Sequence, residues 1–320
     1  LMRGARVPVA EYAQLAETFN PVQFNASGLV SLARQAGMKY LVATAKHHDG
    51  FALYHSTVSK YNIVDATPYK RDVIRDIADA CHAVGLPLGL YYSQAQDWYH
   101  PGGATNGNWD IAQEGSMDKY IEDIAVPQVR ELLTRYGPVS MFWWDTPKEM
   151  NERRTAQLLP LLQLQPGIFT NNRVGRVTGK TFPGDFATPE QRLPFRGIRE
   201  QLWEVCMTVN DSWGYNAADH NWKSSATLIR NLIDVVSKGG NYLLNVAPDA
   251  SGSIPPPIVD RFEAIGRWMA VNGEAIYGTT AGPFERQLPW GRFTRKPGKL
   301  YTHVFFWPES GVLNIPVKGT

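Results

Sequence analysis

The sequence has few cysteines, almost no net charge and no long apolar run. Its two cysteines, Cys81 and Cys206, are too few for a disulfide framework or a cysteine-based zinc site. A net charge of +2 gives no reason to expect a nucleic-acid partner. No stretch reaches the ~18 consecutive apolar residues of a membrane span, and no signal peptide is visible at Leu1. We therefore expect neither a nucleic-acid-binding nor a membrane-spanning protein.

Several catalytic and cofactor motifs are also missing. No glycine-rich phosphate loop follows a strand-like run, which disfavours a nucleotide-binding fold. No GxSxG and no HExxH occurs, so a serine hydrolase of that type and a zinc protease are disfavoured. Cys81 falls within a predicted helix and Cys206 within a strand without an adjacent histidine, which argues against a cysteine nucleophile. The sequence thus predicts no cofactor and no metal.

What the sequence does contain is a globular composition rich in aromatic residues. It is 43% hydrophobic and 19% charged over 320 residues, enough for a sizeable core. The 10 tryptophans and 14 tyrosines supply flat faces of the kind that bind sugars, although an aromatic core accounts for most of them without a ligand. Composition alone permits a carbohydrate site and does not require one.

Short apolar runs alternate with amphipathic stretches along most of the chain. Such alternation is typical of βαβ units with a parallel sheet, and about six units favour a (β/α)8 barrel over a Rossmann fold. After residue 279 the pattern changes to alternating strands and turns, which predicts the start of a β-domain. The predicted strands are 40–44, 86–92, 139–144, 167–170, 203–209 and 241–246, and the predicted helices are one ending at Gly37 and 72–84, 120–136, 151–162, 224–237 and 258–271.

Polar or aromatic residues follow nearly every predicted strand. His47-His48-Asp49 follows the first, Asp97-Trp98 the second, Asp145 the third and Arg173 the fourth. Because active sites of such barrels lie at the C-terminal ends of the strands, these residues are expected to meet in one pocket. Packing of a barrel core does not require polar or aromatic residues after its strands, so their presence favours a ligand pocket.

The stretch VSMFWWDTP, residues 139–147, runs from a buried strand directly into a carboxylate. Asp145 has two interpretations. It could be the N-cap of a following helix, because Thr146-Pro147 resembles a helix start. It could instead be a catalytic carboxylate at a strand end, since burying an ionised group is costly unless it is paired or used.

The adjacent histidines His47 and His48 also have more than one interpretation. Neighbouring side chains diverge, and no third histidine or carboxylate lies at helical spacing, so a metal site is disfavoured. Neutral imidazoles that donate hydrogen bonds to sugar hydroxyls are the favoured interpretation, and structural loop residues are the other alternative.

Glycoside hydrolysis needs two carboxyl groups, one to attack or activate water and one to protonate the leaving oxygen. Asp145 is the first candidate. The second is Glu190, after a proline in a predicted loop, or Glu204, beside Trp203 in an apolar strand where burial would raise a carboxyl pKa. A solvated helix start for Glu190 and a structural ion pair with Arg173 or Lys223 for Glu204 remain alternatives.

Five motifs resemble the α-L-fucosidases of glycoside hydrolase family 29, in the order in which that family carries them. The resemblance covers residues 12–284. It implies a (β/α)8-like TIM barrel with a C-terminal β-sandwich, and a retaining exo-glycosidase that removes terminal α-L-fucose through a covalent intermediate. The motifs are LVATAKHHDGFALYHS, LGLYYSQAQDWYHP, MFWWDTP, WEVCMTVNDSWGYN and GGNYLLNVAPDASGSIP.

The resemblance implies a role for each matching residue. Asp145 matches the nucleophile, and the acid/base is Glu204, with a narrow preference, or Glu190. The residues expected to bind substrate are His47, His48, Tyr92, Trp98, Trp143, Arg173 and Trp213.

The same resemblance predicts the domain organisation and partners. Residues 1–283 would form the barrel, whose first strand in the family lies upstream of Leu1, and residues 284–320 would begin the sandwich. The expected partner is a fucosylated oligosaccharide or glycoconjugate, with a homo-oligomer also compatible with the sequence. The expected location is secreted, periplasmic or lysosomal. A non-catalytic fucose-binding protein on the same barrel is the alternative function.

Overall fold

A computed structural model describes residues 2–105, 107–284 and 288–315. Its fold is mixed α/β, in which helices connect parallel strands. The helices are α1 Val9–Ala13, α2 Leu15–Thr18, α3 Ala26–Gln35, α4 Val73–Ala83, α5 Met117–Tyr120, α6 Val126–Arg135, α7 Glu152–Leu158, α8 Ser225–Val236 and α9 Pro256–Asn272. The strands are β1 Leu41–Lys46, β2 Leu88–Tyr92, β3 Met141–Trp144, β4 Phe169–Thr170, β5 Arg176–Val177, β6 Lys180–Thr181, β7 Phe186–Ala187, β8 Leu202–Thr208, β9 Asn241–Asn245, β10 Thr280–Ala281, β11 Gly291–Lys296 and β12 Lys299–Val304.

The chain divides into two compact units. The first contains the residues up to Arg34, Met38–Asp185 and Pro248–Ser253, and the second contains Gln35–Gly37, Phe186–Ala247 and the residues from Ile254 onward. This division into compact units falls at Asp185 and is a different boundary from the one predicted between residues 283 and 284. The predicted domain boundary stays a prediction.

The first unit is built on a parallel sheet with strand order β1-β2-β3-β4. Apolar side chains of the strands pack against α4 and α6, and Phe142 and Trp144 are fully buried there. Helix α4 begins where the Asp72 carboxylate accepts a hydrogen bond from the backbone N–H of Arg75. The pairing of β1 with β2 shifts between Thr44 and Lys46, and such an irregularity redirects the side chains that follow it.

The second unit contains a parallel sheet of order β7-β8-β9 and an antiparallel sheet of order β10-β11-β12. Trp203, Val205 and Met207 of β8 pack with Val235 of α8 in its core. The alternation of strands and helices predicted from the sequence is therefore confirmed as a mixed α/β fold. Among the described residues, no helix is both long and apolar enough to cross a bilayer.

Candidate active site

The C-terminal ends of β1, β2 and β3 bring together a carboxylate and several aromatic rings. His47 and His48 follow β1, and Asp145 follows β3. Tyr91 of β2 lies beside Trp143 of β3 because the two residues are paired in the sheet, and their ring centroids are 5.6 Å apart. Parallel strands end at one edge, so residues distant in sequence meet there.

Asp145 is 9% exposed and receives hydrogen bonds on both carboxylate oxygens. Its Oδ1 accepts from the Arg173 guanidinium at 2.8 Å and from the backbone N–H of Thr146 at 2.8 Å. Its Oδ2 accepts from the Tyr91 hydroxyl at 2.6 Å. Burial alone would raise the pKa of Asp145, but the Tyr91 hydrogen bond and the charge of Arg173 lower it below its ordinary value. Asp145 is therefore an ionised, buried and oriented carboxylate. It does not cap the following helix α7, whose N-cap is Asn151.

The backbone next to Asp145 is strained. Thr146 has φ +43°, a left-handed conformation that β-branched residues rarely adopt. This conformation allows the Thr146 N–H to reach the Asp145 carboxylate. Strain of this kind persists where surrounding contacts impose it, and it is concentrated at functional sites.

His48 is neutral at physiological pH. Burial and the neighbouring His47 lower the pKa of His48 to about 3. Its Nε2 lies 3.5 Å from Asp145 Oδ2. Because the imidazole is uncharged, this contact is not an ion pair.

Aromatic rings line the space around the carboxylate. Tyr91 stacks against His47 with ring centroids 5.5 Å apart. The Arg173 guanidinium lies 4.8 Å from the centre of a Trp143 ring, and the Trp98 and His48 ring centroids are 5.5 Å apart. The structure thus brings six of the predicted site residues together: His47, His48, Trp98, Asp145, Trp143 and Arg173.

Tyr92 requires a correction. Successive side chains of a strand point to opposite faces, so Tyr91 and Tyr92 cannot both face the site. Tyr92 is fully buried, and its hydroxyl donates to Gln128 Oε1 at 2.8 Å on the helix side of the sheet. Its neighbour Tyr91 contacts Asp145 instead. We therefore replace Tyr92 with Tyr91 in the candidate site; the alternation rule applied to the LGLYY strand could have identified it.

The remaining predicted residues lie in the second unit. Glu204 is in β8 and is 2% exposed. Glu190 is exposed, and its backbone is bridged to Cys206 of the same strand. Trp213 follows β8 and is 39% exposed. Both acid/base candidates thus lie on or beside one strand, and the choice between them stays a prediction.

A buried ionic network, not predicted from the sequence, supports the site. Lys46 Nζ lies 2.6 Å from Asp97 Oδ2, and both side chains are completely buried. Asp97 also pairs with His100 Nδ1 at 2.9 Å. Burial would raise the pKa of Asp97, but His100 and Lys46 lower it well below its ordinary value. The network fixes the residues that precede His47 and Trp98.

One group of side chains could hold a metal ion. Ligand atoms of His47, His48 and Asp145 lie within 4.8 Å of one another. The sequence argued against a metal because no third ligand lies at helical spacing; the third group comes from another strand. Transition metals accept such a set of imidazole and carboxylate ligands. The absence of a metal cofactor therefore stays a prediction.

A buried, ionised carboxylate among aromatic rings at the C-terminal ends of parallel strands is compatible with a glycoside hydrolase, in which such a carboxylate acts with a second carboxyl group. Residues 5–274 match the family model described as alpha-L-fucosidase. The chain belongs to the alpha-L-fucosidase family, which confirms the resemblance found in its motifs.

Related proteins support this assignment along most of the chain. The tissue alpha-L-fucosidase of Homo sapiens is 29% identical over 326 residues, which cover 98% of this chain and 68% of that protein. The alpha-L-fucosidase of Vibrio sp. strain EJY3 superposes with a TM-score of 0.91 at 39% identity, over 97% of this chain and 55% of its own. The chain therefore spans little more than half of the Vibrio protein.

Alpha-L-fucosidase AlfC from Lactobacillus casei superposes with a TM-score of 0.78 at 36% identity, over 86% of this chain and 88% of its own. That structure contains the alpha-L-fucose product. One AlfC variant has been solved both with 4-nitrophenyl-a-L-fucopyranoside and with Fuca(1,6)GlcNAc.

Proposed function

We propose that this chain is the catalytic part of a retaining exo-α-L-fucosidase that acts on fucosylated glycans. Asp145 would attack the anomeric carbon of a terminal fucose and form a covalent fucosyl-aspartate. The observation that carries this proposal is the environment of Asp145, which keeps a buried carboxylate ionised and fixed in orientation. An attacking carboxylate needs both properties.

The contacts of Asp145 distinguish its two oxygens. Oδ1 accepts hydrogen bonds from Arg173 and Thr146, whereas Oδ2 accepts one from Tyr91. An oxygen with fewer donors retains more electron density for attack. We therefore assign the attack to Oδ2 and the orientation of the carboxylate to Oδ1.

The reaction would proceed in two displacements. In the first, Oδ2 forms a bond to the anomeric carbon while the bond to the leaving oxygen breaks, and an acidic carboxyl group gives that oxygen its proton. In the second, the same group takes a proton from water, and the water oxygen replaces Asp145 at the anomeric carbon. Glu204 is our preferred acid/base, with Glu190 as the alternative.

Substrate binding would use the residues around this carboxylate. Trp143 and Trp98 provide aromatic surfaces for the sugar, and His47, His48 and Arg173 provide polar contacts. Trp213 of the second unit is retained as a predicted contact. The bound fucose and fucosyl-N-acetylglucosamine of AlfC support a fucosylated glycan as substrate.

The proposal includes the predicted architecture, a (β/α)8-like barrel at residues 1–283 followed by the start of a β-sandwich at 284–320. The parallel strands joined by helices support the barrel, and the antiparallel pair β11-β12 supports a β-domain after residue 284. A secreted, periplasmic or lysosomal location remains a prediction.

The test is hydrolysis of 4-nitrophenyl α-L-fucoside by the chain, with and without a chelator, while proton NMR follows the anomer released first. We expect α-L-fucose as the first product and equal rates in both samples. Initial release of β-L-fucose would contradict a retaining mechanism. Loss of activity with chelator would indicate a metal-dependent site. No turnover, combined with fucose binding by calorimetry, would favour the binding protein instead.

A further inference from the structure

Ser93 lies directly after β2 and is completely buried beside the candidate site. Its backbone N–H donates to the carbonyl oxygen of Lys46 at 3.0 Å, which ties it to the end of β1. Its side-chain oxygen has two close polar neighbours. Oγ lies 2.7 Å from the backbone carbonyl oxygen of Gln96 and 2.6 Å from Nδ1 of His48.

The two contacts of this hydroxyl determine where its proton lies. A serine hydroxyl has one proton to donate, and a carbonyl oxygen has none. The short contact with Gln96 is therefore a hydrogen bond donated by Ser93. Ser93 Oγ then has only lone pairs to offer His48, so Nδ1 of His48 must carry the hydrogen that joins them.

A neutral imidazole carries one N–H, so the hydrogen on Nδ1 leaves Nε2 as an acceptor. This nitrogen faces Asp145 Oδ2 at 3.5 Å, and that oxygen is also an acceptor. A hydrogen-bond donor that lies beside both acceptors, His48 Nε2 and Asp145 Oδ2, would stabilise this arrangement. A sugar hydroxyl is such a donor.

We propose that Ser93 is a positioning residue that fixes His48 with its proton on Nδ1, so that Nε2 accepts a hydrogen bond from a substrate hydroxyl next to Asp145. The identity of the donor as a sugar hydroxyl rests on the proposed function. The assignment of the His48 tautomer does not rest on the proposed function, because it follows from the contacts of Ser93. The sequence predicts that this imidazole donates to the sugar, whereas the hydrogen bonds of Ser93 give His48 the opposite role.

The primary test is nitrogen NMR on the wild-type chain labelled with 15N at histidine, near pH 7 and without substrate. The His48 signals are assigned by their absence in His48→Gln. The two ring nitrogens of a neutral histidine have well separated shifts that identify the protonated one. We expect a protonated Nδ1 and an unprotonated Nε2. A protonated Nε2 would overturn the proposal even in a chain with full activity.

Two matched variants test the role of the hydroxyl. Ser93→Ala removes it, and Ser93→Thr keeps a hydroxyl at the same position. For Ser93→Ala we expect a mixture of tautomers at His48 and about a tenfold loss of kcat/KM, the size of one buried hydrogen bond. Ser93→Thr should restore the Nδ1–H tautomer and part of the activity. A tautomer and kcat/KM that are unchanged in Ser93→Ala would contradict the positioning role.

These readouts separate the two proposals. An inactive wild-type chain with the expected tautomer would reject the proposed function and leave the role of Ser93 at His48 intact. An active chain with the opposite tautomer at His48 would reject the role of Ser93 and leave the proposed function intact.

Discussion

The Tyr91 hydroxyl donates a hydrogen bond of 2.6 Å to Oδ2 of Asp145. The same oxygen is the one we assign to the attack on the sugar. This hydrogen bond is the principal contribution that lowers the pKa of Asp145 against the effect of burial, followed by the charge of Arg173. Tyr91 therefore helps to keep the carboxylate ionised, while Arg173 and the Thr146 N–H orient it through the other oxygen.

Replacing Tyr91 with phenylalanine is expected to shift the pH dependence of catalysis. Without the donor, the pKa of Asp145 rises, so a higher pH is needed to ionise it. A hydrogen bond to a charged group contributes about 1.5–3 kcal/mol, so its loss favours the protonated carboxyl group. The acidic limb of the kcat/KM profile should move to higher pH, as measured with an aryl fucoside.

Tyr92→Phe is the matched control for this experiment. It also removes one phenol hydroxyl from β2, but on the opposite face, where Gln128 would lose its donor. We expect the free energy of unfolding to fall by about 1 kcal/mol and the pH profile to stay unchanged. If Tyr92→Phe moved the acidic limb and Tyr91→Phe did not, the replacement of Tyr92 by Tyr91 in the site would be refuted.

Asp145→Asn is expected to abolish turnover without loss of the fold. The amide has nearly the same shape but is a poor nucleophile, so kcat should fall by about 10³-fold or more. Thermal unfolding and calorimetric binding of fucose measure whether the fold and the pocket persist. Turnover within tenfold of the wild type would show that Asp145 is not the nucleophile.

The two acid/base candidates are separated by their response to the leaving group. Removing the acid slows substrates with poor leaving groups most, because activated aryl groups need little protonation. Azide should restore the second step, since it attacks without a general base. We expect Glu204→Ala to show both effects and Glu190→Ala to show neither. The reverse pattern would assign the role to Glu190.

The buried Lys46–Asp97 pair should contribute strongly to stability. Lys46→Met removes the lysine charge from a completely buried carboxylate, which keeps its contact with His100 but loses an ion pair. The free energy of unfolding should therefore fall by about 3 kcal/mol. The control is Arg71→Met at the largely exposed Arg71–Asp76 pair, which should cost under about 1 kcal/mol. Urea unfolding measures both. Equal losses would show that burial of the first pair has no special effect.

The same pair predicts how stability depends on pH. The folded pKa of Asp97 lies below its unfolded value, so the folded chain holds fewer protons than the unfolded chain in acid. Its contribution to stability should be complete at neutral pH and decline as the pH falls below about 4. Asp97→Asn should remove this part of the pH dependence in urea unfolding curves.

The regular elements were largely predictable from the sequence. The predicted helix at 72–84 is Val73–Ala83 in the structure, and the predicted strand at 203–209 is Leu202–Thr208. Apolar periodicity and capping residues act locally, so the sequence displays them directly. The short strand Phe186–Ala187 is not predicted, because two residues are too few to show the alternation of apolar and polar side chains that marks a strand.

The site was predictable where it follows strand ends and unpredictable where it depends on side-chain direction. Asp145 directly follows β3 and His48 lies two residues after β1, and these positions at strand ends make both residues candidates. The contacts of Ser93 and Lys46 depend on partners in other elements, such as Gln96 and Asp97, whose distances no local pattern encodes. The prediction named Tyr92, whereas Tyr91 contacts Asp145 in the structure. A shift of one residue along a strand therefore changes which side chain faces the site.

The most direct test of the central claim is covalent trapping of the nucleophile. The wild-type chain would be incubated with 2-deoxy-2-fluoro-α-L-fucosyl fluoride, and peptides would be mapped by mass spectrometry. Our account predicts that one fluorofucosyl group is attached to the peptide that contains Asp145, with no label in Asp145→Asn. A label on a different carboxylate, or hydrolysis with inversion and no labelled peptide, would contradict it.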